Sequence, residues 1–521
     1  MKQLIIKCWL GYSLLLLLIQ NTGYGQDLTN KDNYIINGLS FEKTKDLNGF
    51  YCDSLKSNLG IGYSTAKQNK SYLLNKGNQF NSYSLTALWN KALDKESSFL
   101  ATISFDKAEQ DQIFGTSMLY NQDYGPYQLY HKFKADYHFQ HYNINTQYKK
   151  QVNRFTFLAG ISYTGNYSFT LTEPRDKAIS SWLKPKVGVE YSLTKNSQVF
   201  LTSWYQHHRQ TVELDVYNGN RKRQFLLLKG FGLYDHQHKD YEFSKKRIYS
   251  ANSIGVNLGA DLFQTNRFSL SLGFIGSIDK LKTQELNTIV LHELKTSKTL
   301  VSGALNYKAN RFLNIKLKAN YYFKELLGTE NRYSYVNVNQ DYESVYDYIK
   351  IAQVRPYILQ NKQWYLDLGL QNYLSDKFSY VLGGGYSQTN FDEQYKTTAF
   401  KTLINKQIYK GYLRLDYQNK KNRAFLSFSY QNQATTSANS YKDTDLKGLY
   451  QEVYYPNYLY EKLNKKAIEL TFDYSYRLKN NNRVALNIKL DKLWSTNTLN
   501  TSAGVFDLDY LGITTKLYYQ F

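Results

Sequence analysis

The chain has 521 residues, of which 65 are Lys or Arg and 43 are Asp or Glu, so its formal net charge is +22. Aromatic residues make up 16% of the sequence, which excludes a disordered chain because such chains are poor in aromatic side chains. Its 51 tyrosines are atypical of helical bundles and coiled coils, which are rich in Ala, Leu, Glu and Lys. Only 5 prolines and 30 unperiodic glycines exclude a collagen-like or proline-rich chain, so an all-β protein remains.

The N-terminal residues have the three-part layout of a secretory signal peptide. Lys2 and Lys7 supply positive charge, residues 8–19 form an apolar run, and small residues precede Gln26. The run is shorter than the ~20 residues that a membrane-spanning helix requires. We therefore predict three regions: a signal peptide over 1–25, an N-terminal periplasmic or plug-like segment over 26–56, and a single transmembrane β-barrel over 57–521.

Apolar and polar residues alternate strictly in several segments, among them 184–194, 253–262, 313–323 and 468–478. Alternation with a period of two indicates a strand with two different faces. These segments reach the ~9–11 residues of a tilted membrane strand, whereas strands of soluble sandwiches are usually nearer five or six. A sheet in lipid must close on itself because lipid cannot satisfy the backbone groups of an open edge.

The connections between these segments are alternately short and long. Short polar turns lie at 93–97, 149–154, 194–198, 263–267, 308–311, 374–377, 418–423 and 478–483, and longer segments at 107–131, 208–247, 325–362 and 436–464. Short periplasmic turns and long extracellular loops are typical of outer-membrane barrels. We predict an antiparallel up-and-down transmembrane β-barrel of about 18 strands, with a range of about 14–20. Residues 345–360 are either a further strand pair or an extension above the membrane.

The predicted strands have approximate starting points. They begin near Leu59, Tyr83, Phe99, Lys134, Phe155, Pro185, Val199, Ile254, Phe268, Val301, Leu313, Trp364, Phe378, Tyr409, Leu426, Ile468, Val484 and Val505.

The C-terminal segment LDYLGITTKLYYQF places apolar or aromatic residues on one face and ends in Phe521. It resembles the closing strand of Gram-negative outer-membrane proteins, although Lys516 stands where that pattern has glycine. The resemblance implies that Tyr519 and Phe521 are recognised by the outer-membrane insertion machinery. The whole predicted barrel is similar to the large, Tyr- and Asn-rich outer-membrane barrels of uncharacterised function. The tyrosines suit the aromatic girdles of such barrels, and the implied location is the outer membrane of a Gram-negative bacterium.

A barrel of about 18 strands is too wide for its inward side chains to fill alone. Either water fills it, as in porins, or folded-in loops or the segment 27–56 narrow it. Only about thirty residues separate the predicted signal peptide from the first strand, so we expect no plug domain like that of TonB-dependent transporters.

Charged residues of both signs occupy positions that the alternation predicts to face the lumen. They could pair across strands and rigidify the interior, or form a ring of charge that selects permeants. The excess of positive charge mildly favours anionic solutes. The candidates are Lys184, Lys186, Lys316, Lys318, Arg414, Arg477, Glu190, Asp261, Asp367, Asp416 and Asp473.

The predicted loops hold aromatic and histidine-containing clusters. Flat aromatic side chains beside Pro and Gly can stack on sugars or peptides, or pack against one another within the loop. These loop-binding candidates are Tyr124, Tyr127, Tyr130, Tyr454, Tyr455 and Tyr458. His236 and His238 are weak candidates for a metal site, since a solvated charged loop is the more frequent meaning of such a pattern, and no cofactor is expected.

The sequence favours a porin-like channel or passive transporter for polar solutes. Two alternatives stay open: a non-conducting surface-binding or accessory subunit of an uptake or secretion complex, and a barrel-rim hydrolase. His207 and His208 lie near Ser203, but no G-x-S-x-G turn accompanies them, so we expect no enzyme activity and no catalytic residue. Expected partners are outer-membrane lipids and lipopolysaccharide, the insertion machinery and, for an accessory subunit, a transporter or secretion complex. Nucleic acid is not expected.

Overall fold

A computed structural model describes residues 57–68, 77–114, 119, 124–131, 133–172, 175–215, 225–235, 246–285, 289–337, 346–398, 400–441, 454–478, 482–501 and 504–520. The predicted signal peptide, the segment 26–56, His236, His238 and Phe521 lie outside the described residues. Among the described residues, no helix is both long and apolar enough to cross a membrane.

The described elements are 23 strands, one α-helix and a short 3-10 helix at Lys396–Thr398. In chain order they are β1 (Asn58–Gln68), β2 (Gln79–Ala92), β3 (Ser97–Phe114), β4 (Leu129–His131), β5 (Lys134–Val152), β6 (Phe155–Thr170), β7 (Arg175–Thr194), β8 (Ser197–Asp215), β9 (Phe225–Gly230), β10 (Leu233–Asp235), β11 (Lys246–Leu262), β12 (Phe268–Glu285), β13 (Ile289–Lys308), β14 (Leu313–Asn337), β15 (Tyr346–Tyr373), β16 (Phe378–Tyr395), β17 (Phe400–Gln418), β18 (Asn422–Tyr441), α1 (Tyr455–Lys462), β19 (Lys465–Arg477), β20 (Arg483–Ser495), β21 (Leu499–Thr501), β22 (Gly504–Phe506) and β23 (Asp509–Gln520).

Eighteen of these strands form one closed antiparallel barrel: β1–β3, β5–β8, β11–β20 and β23. The barrel closes where β1 pairs with both β2 and β23, so that Leu59 lies opposite Ala87 on one side and Tyr519 on the other. Every barrel strand pairs with the strands before and after it. The predicted fold class and the predicted strand count are confirmed.

The strand boundaries are predicted less accurately than the count. β7, β13 and β15 begin at Arg175, Ile289 and Tyr346, ten or more residues before the predicted starts at Pro185, Val301 and Trp364. The missed residues are the ends of these strands at the long-loop rim. Alternation fails there because the outward side chains no longer face lipid.

The short turns are closed by side chains as well as by the backbone. Asp94 Oδ1 accepts hydrogen bonds from the backbone N–H groups of Glu96 and Ser97, at 2.7 and 2.6 Å. Asn310 and Asn419 accept from the residues two and three positions on in the same way. A short Asp or Asn side chain mimics a backbone turn in this geometry, which explains why the polar turn sequences connect strands so tightly.

One face of the barrel wall is apolar and exposed. Leu201, Leu258, Phe274, Val301 and Tyr321 are consecutive cross-strand partners on five neighbouring strands, and every one of these side chains is exposed. A continuous apolar surface of this kind on a closed barrel is the surface that faces lipid. The side chains of alternate residues therefore point into the lumen.

Inward-facing glycines accommodate aromatic rings of the neighbouring strand. Gly255 lies directly opposite Trp204, and a Cβ atom at Gly255 would lie only 2.1 Å from the Trp204 ring. The absent side chain lets the ring lie flat against the wall, and the ring covers backbone that would otherwise be exposed. The same directly paired arrangement occurs at Gly259 and Phe200, Gly383 and Tyr412, and Gly60 and Tyr518.

The barrel wall is tall on one side and low on the other. β14 and β15 have 25 and 28 residues, whereas β1 and β23 have 11 and 12. Residues 345–360 fall mainly in the outer end of β15, so this segment is an extension and not a further strand pair. Much of the segment 325–362, expected to be a loop, consequently lies in paired strands.

Loop residues fold back into the barrel and form what we call the inner layer. It consists of residues 124–128, the three-stranded sheet β4–β9–β10, helix α1 and the hairpin β21–β22. Tyr124, Tyr127 and Phe231 of this layer are almost fully buried, in one cluster with inward-facing wall residues such as Tyr249 and Leu294. Of the two arrangements that the sequence left open, the outer lumen therefore has the one narrowed by folded-in loops.

Candidate functional site

The inner layer is fixed to one side of the wall by a buried chain of hydrogen bonds. His131 of β4 contacts the Tyr137 hydroxyl at 2.9 Å, and that hydroxyl donates to Asp176 at 2.9 Å. The backbone N–H of Phe133 donates to His131 Nδ1, so Nε2 carries the proton and donates to Tyr137. Burial lowers the pKa of His131 in spite of the Asp176 carboxylate, so the imidazole is neutral. The His131, Tyr137 and Asp176 side chains are completely covered.

The middle of the inner layer contacts the wall through two tyrosines. The Tyr124 hydroxyl lies 3.1 Å from His208 Nε2 and donates to Gln210 Oε1 at 3.0 Å. The Tyr127 ring stacks on His292 with ring centroids 4.3 Å apart and planes within 6°. Burial raises the pKa of the Tyr127 hydroxyl far above its usual range, so it stays protonated. These contacts attach the layer to β8 and β13.

The β9–β10 hairpin reaches a further part of the wall. Lys229 Nζ lies 3.4 Å from Glu330 Oε2, and the hydroxyl of Tyr395 donates to the same carboxylate at 2.8 Å. Phe231, at the tip of the hairpin, stacks on Phe400 at 5.5 Å between ring centroids. Phe231 has a positive φ of 54°, and the flanking Gly230 and Gly232 relieve the tight turn.

Helix α1 and the β21–β22 hairpin contact a further part of the wall, on β16, β17 and β20. Tyr454, which precedes α1, donates to Glu393 and to Thr402, each at 2.8 Å. Glu461 forms an ion pair with Lys406 of β17. Burial alone would raise the pKa of the Glu461 carboxyl, but Lys406 and Lys465 outweigh it and lower the pKa to about 2. Leu499 and Phe506 of the hairpin pack against Tyr460 and the inward-facing Leu493.

The wall residues that take part in these contacts lie on opposite sides of the lumen. The first set lies on β5 and β7, and the stacking of Phe231 on Phe400 lies on β17, nearly opposite β5 in the 18-stranded barrel. The inner layer is therefore a partition attached on both sides, with hydrogen-bonded or ion-paired anchors around the wall. It occupies the lumen at the long-loop end.

The six aromatic loop candidates mostly belong to this packing. Tyr124, Tyr127, Tyr130 and Tyr458 are buried, whereas Tyr454 and Tyr455 are half-buried. Tyr130 packs on Leu228 and lies edge-on to Phe114. In this conformation the four buried rings offer no open surface for a sugar or peptide.

All eleven predicted lumen charges lie on the inward face of the wall, opposite the exposed apolar side chains. The structure brings five of them together on β14, β15 and β17, which we call the wall cluster: Lys316, Lys318, Asp367, Arg414 and Asp416. Lys318 lies directly opposite Asp367, which accepts hydroxyl hydrogen bonds from Tyr365 and Tyr412 at 2.7 and 2.9 Å. Arg414 Nε donates to Asp416 at 2.9 Å.

The other predicted charges are distributed around the barrel. Lys184 lies 4.7 Å from the centre of the Trp204 ring, and Asp261 accepts hydrogen bonds from Gln198 and Ser271. Asp473 accepts from Asn487 at 3.4 Å. The remaining three are Lys186 and Glu190, both nearly buried on β7, and Arg477 at the end of β19.

The imagined pairing of Ser203 with His208 is not formed. Ser203 lies on the outward face, whereas His208 points inward and contacts Ser180 Oγ at 3.0 Å and Tyr124. Within the described ranges, no group of three or more His, Cys, Asp or Glu side chains is arranged to hold a metal ion.

Two groups of contacts were not predicted from the sequence. In the structure Tyr137, Asp176 and Glu330 point inward from the wall, but their partners His131 and Lys229 come from segments that carry no periodic signal. The pairing of these residues depends on how the loops enter the barrel.

Comparison of the sequence with known proteins identifies the family. The sequence matches the Family of unknown function (DUF6850) over residues 19–519. The chain belongs to this family. No curated protein matches the sequence.

Among solved structures, the chain is similar to large outer-membrane barrels. The FrpB iron transporter from Neisseria meningitidis (F5-1 variant) has a TM-score of 0.42 and 9% identity, over 89% of this chain and 83% of that chain. The siderophore receptor PiuA from Acinetobacter baumannii has a TM-score of 0.42 and 8% identity, over 91% and 83%. The copper transporter OprC has a TM-score of 0.40 and 8% identity, over 89% and 81%. The strand pairing already shows the closed barrel, and nothing about location or cargo follows from these low similarities.

Proposed function

We propose that the protein is an outer-membrane transport barrel for polar solutes whose lumen is closed by the inner layer. It would act in a Gram-negative outer membrane after removal of the signal peptide, with the long loops outside. One observation carries the proposal: the inner layer bridges opposite walls at the outer end, while the wall below it is lined by charged and polar side chains. Such a wall suits a hydrated path, and a partition held to the wall by polar contacts and apolar packing suits a gate.

The ion pair between Lys229 and Glu330 offers a test of this gate. In a planar lipid bilayer, the unmodified barrel should be closed for most of the time. Lys229→Gln removes one partner of a largely covered ion pair, so the frequency of stepwise openings should rise about tenfold, the factor that 1.4 kcal/mol produces. The recording gives both the open probability and the size of the conductance step.

Lys246→Gln is the matched control. Lys246 lies 3.5 Å from Glu213, but both side chains are on the outward surface, so breaking this pair should leave the openings unchanged. A large, permanently open conductance in the unmodified protein would contradict the closed lumen. Equal opening frequencies in the two variants would show that the hairpin is not the gate.

A second candidate function, a non-conducting binding or accessory barrel, is favoured by the height of β14 and β15. Their outer ends project beyond the neighbouring strands, because β15 pairs with β16 only from Tyr357 towards the membrane. An electrically silent barrel in the unmodified protein, in Lys229→Gln and in Glu330→Gln would support this candidate over transport.

A further inference from the structure

The outward face of β8, β11, β12 and β13 carries two rows of polar residues next to the lipid-facing band. The last apolar row towards the long-loop end contains Tyr205, Ile254 and Ile278, which are directly paired across strands and exposed. The two following rows lie where an outer-membrane barrel meets the headgroups of the outer leaflet.

The row nearest the apolar band places two lysines directly opposite each other. His207 faces Asn252, Asn252 faces Lys280, and Lys280 faces Lys295. Asn252 Oδ1 accepts from the Tyr205 hydroxyl at 2.7 Å and lies 2.8 Å from His207 Nδ1, which fixes one end of the row. Lys280 and Lys295 are exposed, and like charges directly opposite each other destabilise a sheet.

The next row adds two further cations and one acid. Arg209 faces Ser250, Ser250 faces Lys282, and Lys282 faces Glu293. Among the described residues, none of Arg209, Lys280, Lys282 and Lys295 forms an ion pair. Nearby Lys177 and Lys246, in contrast, both bind Glu213. The four cations therefore leave a local excess of positive charge that the described protein does not neutralise.

Other exposed outward lysines, such as Lys107 and Lys362, are flanked across the sheet by uncharged residues only. On β16 and β17 the outward rows beyond the apolar band hold neutral amides, with Gln388 opposite Gln407 and Asn390 opposite Asn405. Polar residues that only hydrate the membrane interface would not require four cations to lie side by side. Their clustering indicates an anionic partner at this position.

We infer that Arg209, Lys280, Lys282 and Lys295 form a binding site for an anionic lipid with phosphomonoester groups, the chemistry of lipid A in lipopolysaccharide. A headgroup with several negative charges matches the four cations, whereas the ammonium group of a zwitterionic phospholipid neutralises its own phosphate. The adjacent Ile254 and Ile278 would contact the acyl chains. The site rests on the proposed outer-membrane orientation, which puts the long loops and these rows at the outer leaflet.

The test compares the unmodified barrel with the double variant Lys280→Gln/Lys295→Gln in detergent. Without lipid, the variant should unfold at the same or a higher temperature, because the repulsion between the two lysines is gone. Added diphosphoryl lipid A should raise the unfolding temperature of the unmodified barrel and raise that of the variant much less. Bound lipid A counted by native mass spectrometry should fall about tenfold or more, since each basic residue near an anionic headgroup contributes about 1 kcal/mol.

Lys195→Gln/Lys308→Gln is the matched control, because these two exposed lysines lie at the short-turn rim, and it should respond to lipid A as the unmodified barrel does. Equal stabilisation of the Lys280/Lys295 variant and the unmodified barrel by lipid A would overturn the site. Equal stabilisation of the unmodified barrel by dephosphorylated lipid A, by phosphatidylethanolamine or by inorganic phosphate would overturn the assigned ligand. The readout is independent of conductance, so failure here and failure of the gate are distinguishable.

Discussion

At the residue scale, tyrosine hydroxyls form many of the buried hydrogen bonds inside the barrel. The Tyr137 hydroxyl accepts a hydrogen bond from His131 and donates one to Asp176, so one hydroxyl satisfies two buried groups. Tyr357 and Tyr395 do similar work at Glu393 and Glu330. The high tyrosine content thus has a structural role beyond aromatic girdles. The amphipathic ring packs on the inner layer, and its hydroxyl donates a hydrogen bond that offsets the desolvation cost of a buried carboxylate.

Replacing Tyr137 with Phe tests this use of a hydroxyl. The ring is retained, but Asp176 and His131 lose their shared partner in a dry site, so the free energy of unfolding should fall by about 1–3 kcal/mol. Urea unfolding of the barrel in lipid vesicles measures the change. Tyr142→Phe on the same strand is the control: Tyr142 is exposed and its hydroxyl donates to Gln140, so its loss should cost less than about 0.5 kcal/mol. Equal effects of the two changes would refute the role given to the buried chain.

At the scale of elements, α1 is held to the wall by charge. Glu461 lies between Lys406 and Lys465, and the Lys465 ammonium lies 3.5 Å from the centre of the Tyr460 ring. The helix has only eight residues, too few to be stable alone, so its position depends on these contacts and on the packing of Tyr458 and Leu459.

The attachment of α1 should weaken in acid. The folded-state pKa of Glu461 is lowered to about 2 from 4.5, so its contribution is complete above pH 4.5 and is lost as the pH falls towards 2. The loss should be about 1 kcal/mol, because part of the side chain is exposed and screened. Amide hydrogen exchange of residues 455–462, corrected for the intrinsic effect of pH, measures it. Glu461→Gln should remove this pH dependence, and an unchanged profile in that variant would contradict the assignment.

At the scale of the whole molecule, the inner layer crosses the long-loop end of the lumen above a charged wall. The wall cluster joins residues from β14, β15 and β17, and β16 between them contributes Gly383 and Gly385, which leave room for Tyr412 and Asp367. If solutes pass the displaced inner layer, they pass this cluster next. Its three cations and two acids then favour anions modestly.

The wall cluster can be tested in a barrel opened by Lys229→Gln. Lys316→Glu/Lys318→Glu reverses two inward charges, so the reversal potential in a salt gradient should move towards cation selectivity. Lys107→Glu/Lys401→Glu, on outward positions, is the control and should cause no shift. A conducting barrel whose reversal potential is unaffected by the first pair would remove Lys316 and Lys318 from the conduction path.

The sequence predicts the strands of the wall better than the segments that fold into the lumen. The run Leu313 to Phe323 alternates because one face meets lipid, and this signal placed Lys316 and Lys318 inward without any knowledge of neighbouring strands. The outer end of β15 carries no such signal, since its faces meet water and the inner layer, and its start was misplaced by 18 residues. Tyr124 and Tyr127 were recognised as an aromatic cluster that could bind a ligand or pack within its own loop, but not as one that packs against the barrel wall.

The sequence by itself determined a closed barrel of about 18 strands with a charged inner face, because lipid-facing and lumen-facing residues alternate along each strand. Tertiary structure alone decided which loop segments fold into the outer lumen and where they attach to the wall. The contacts of Tyr124 with His208 and of Lys229 with Glu330 join loop segments to wall strands that lie 84 and 101 positions further along the chain. No local pattern encodes such contacts, because they exist only once the barrel has closed around its own loops.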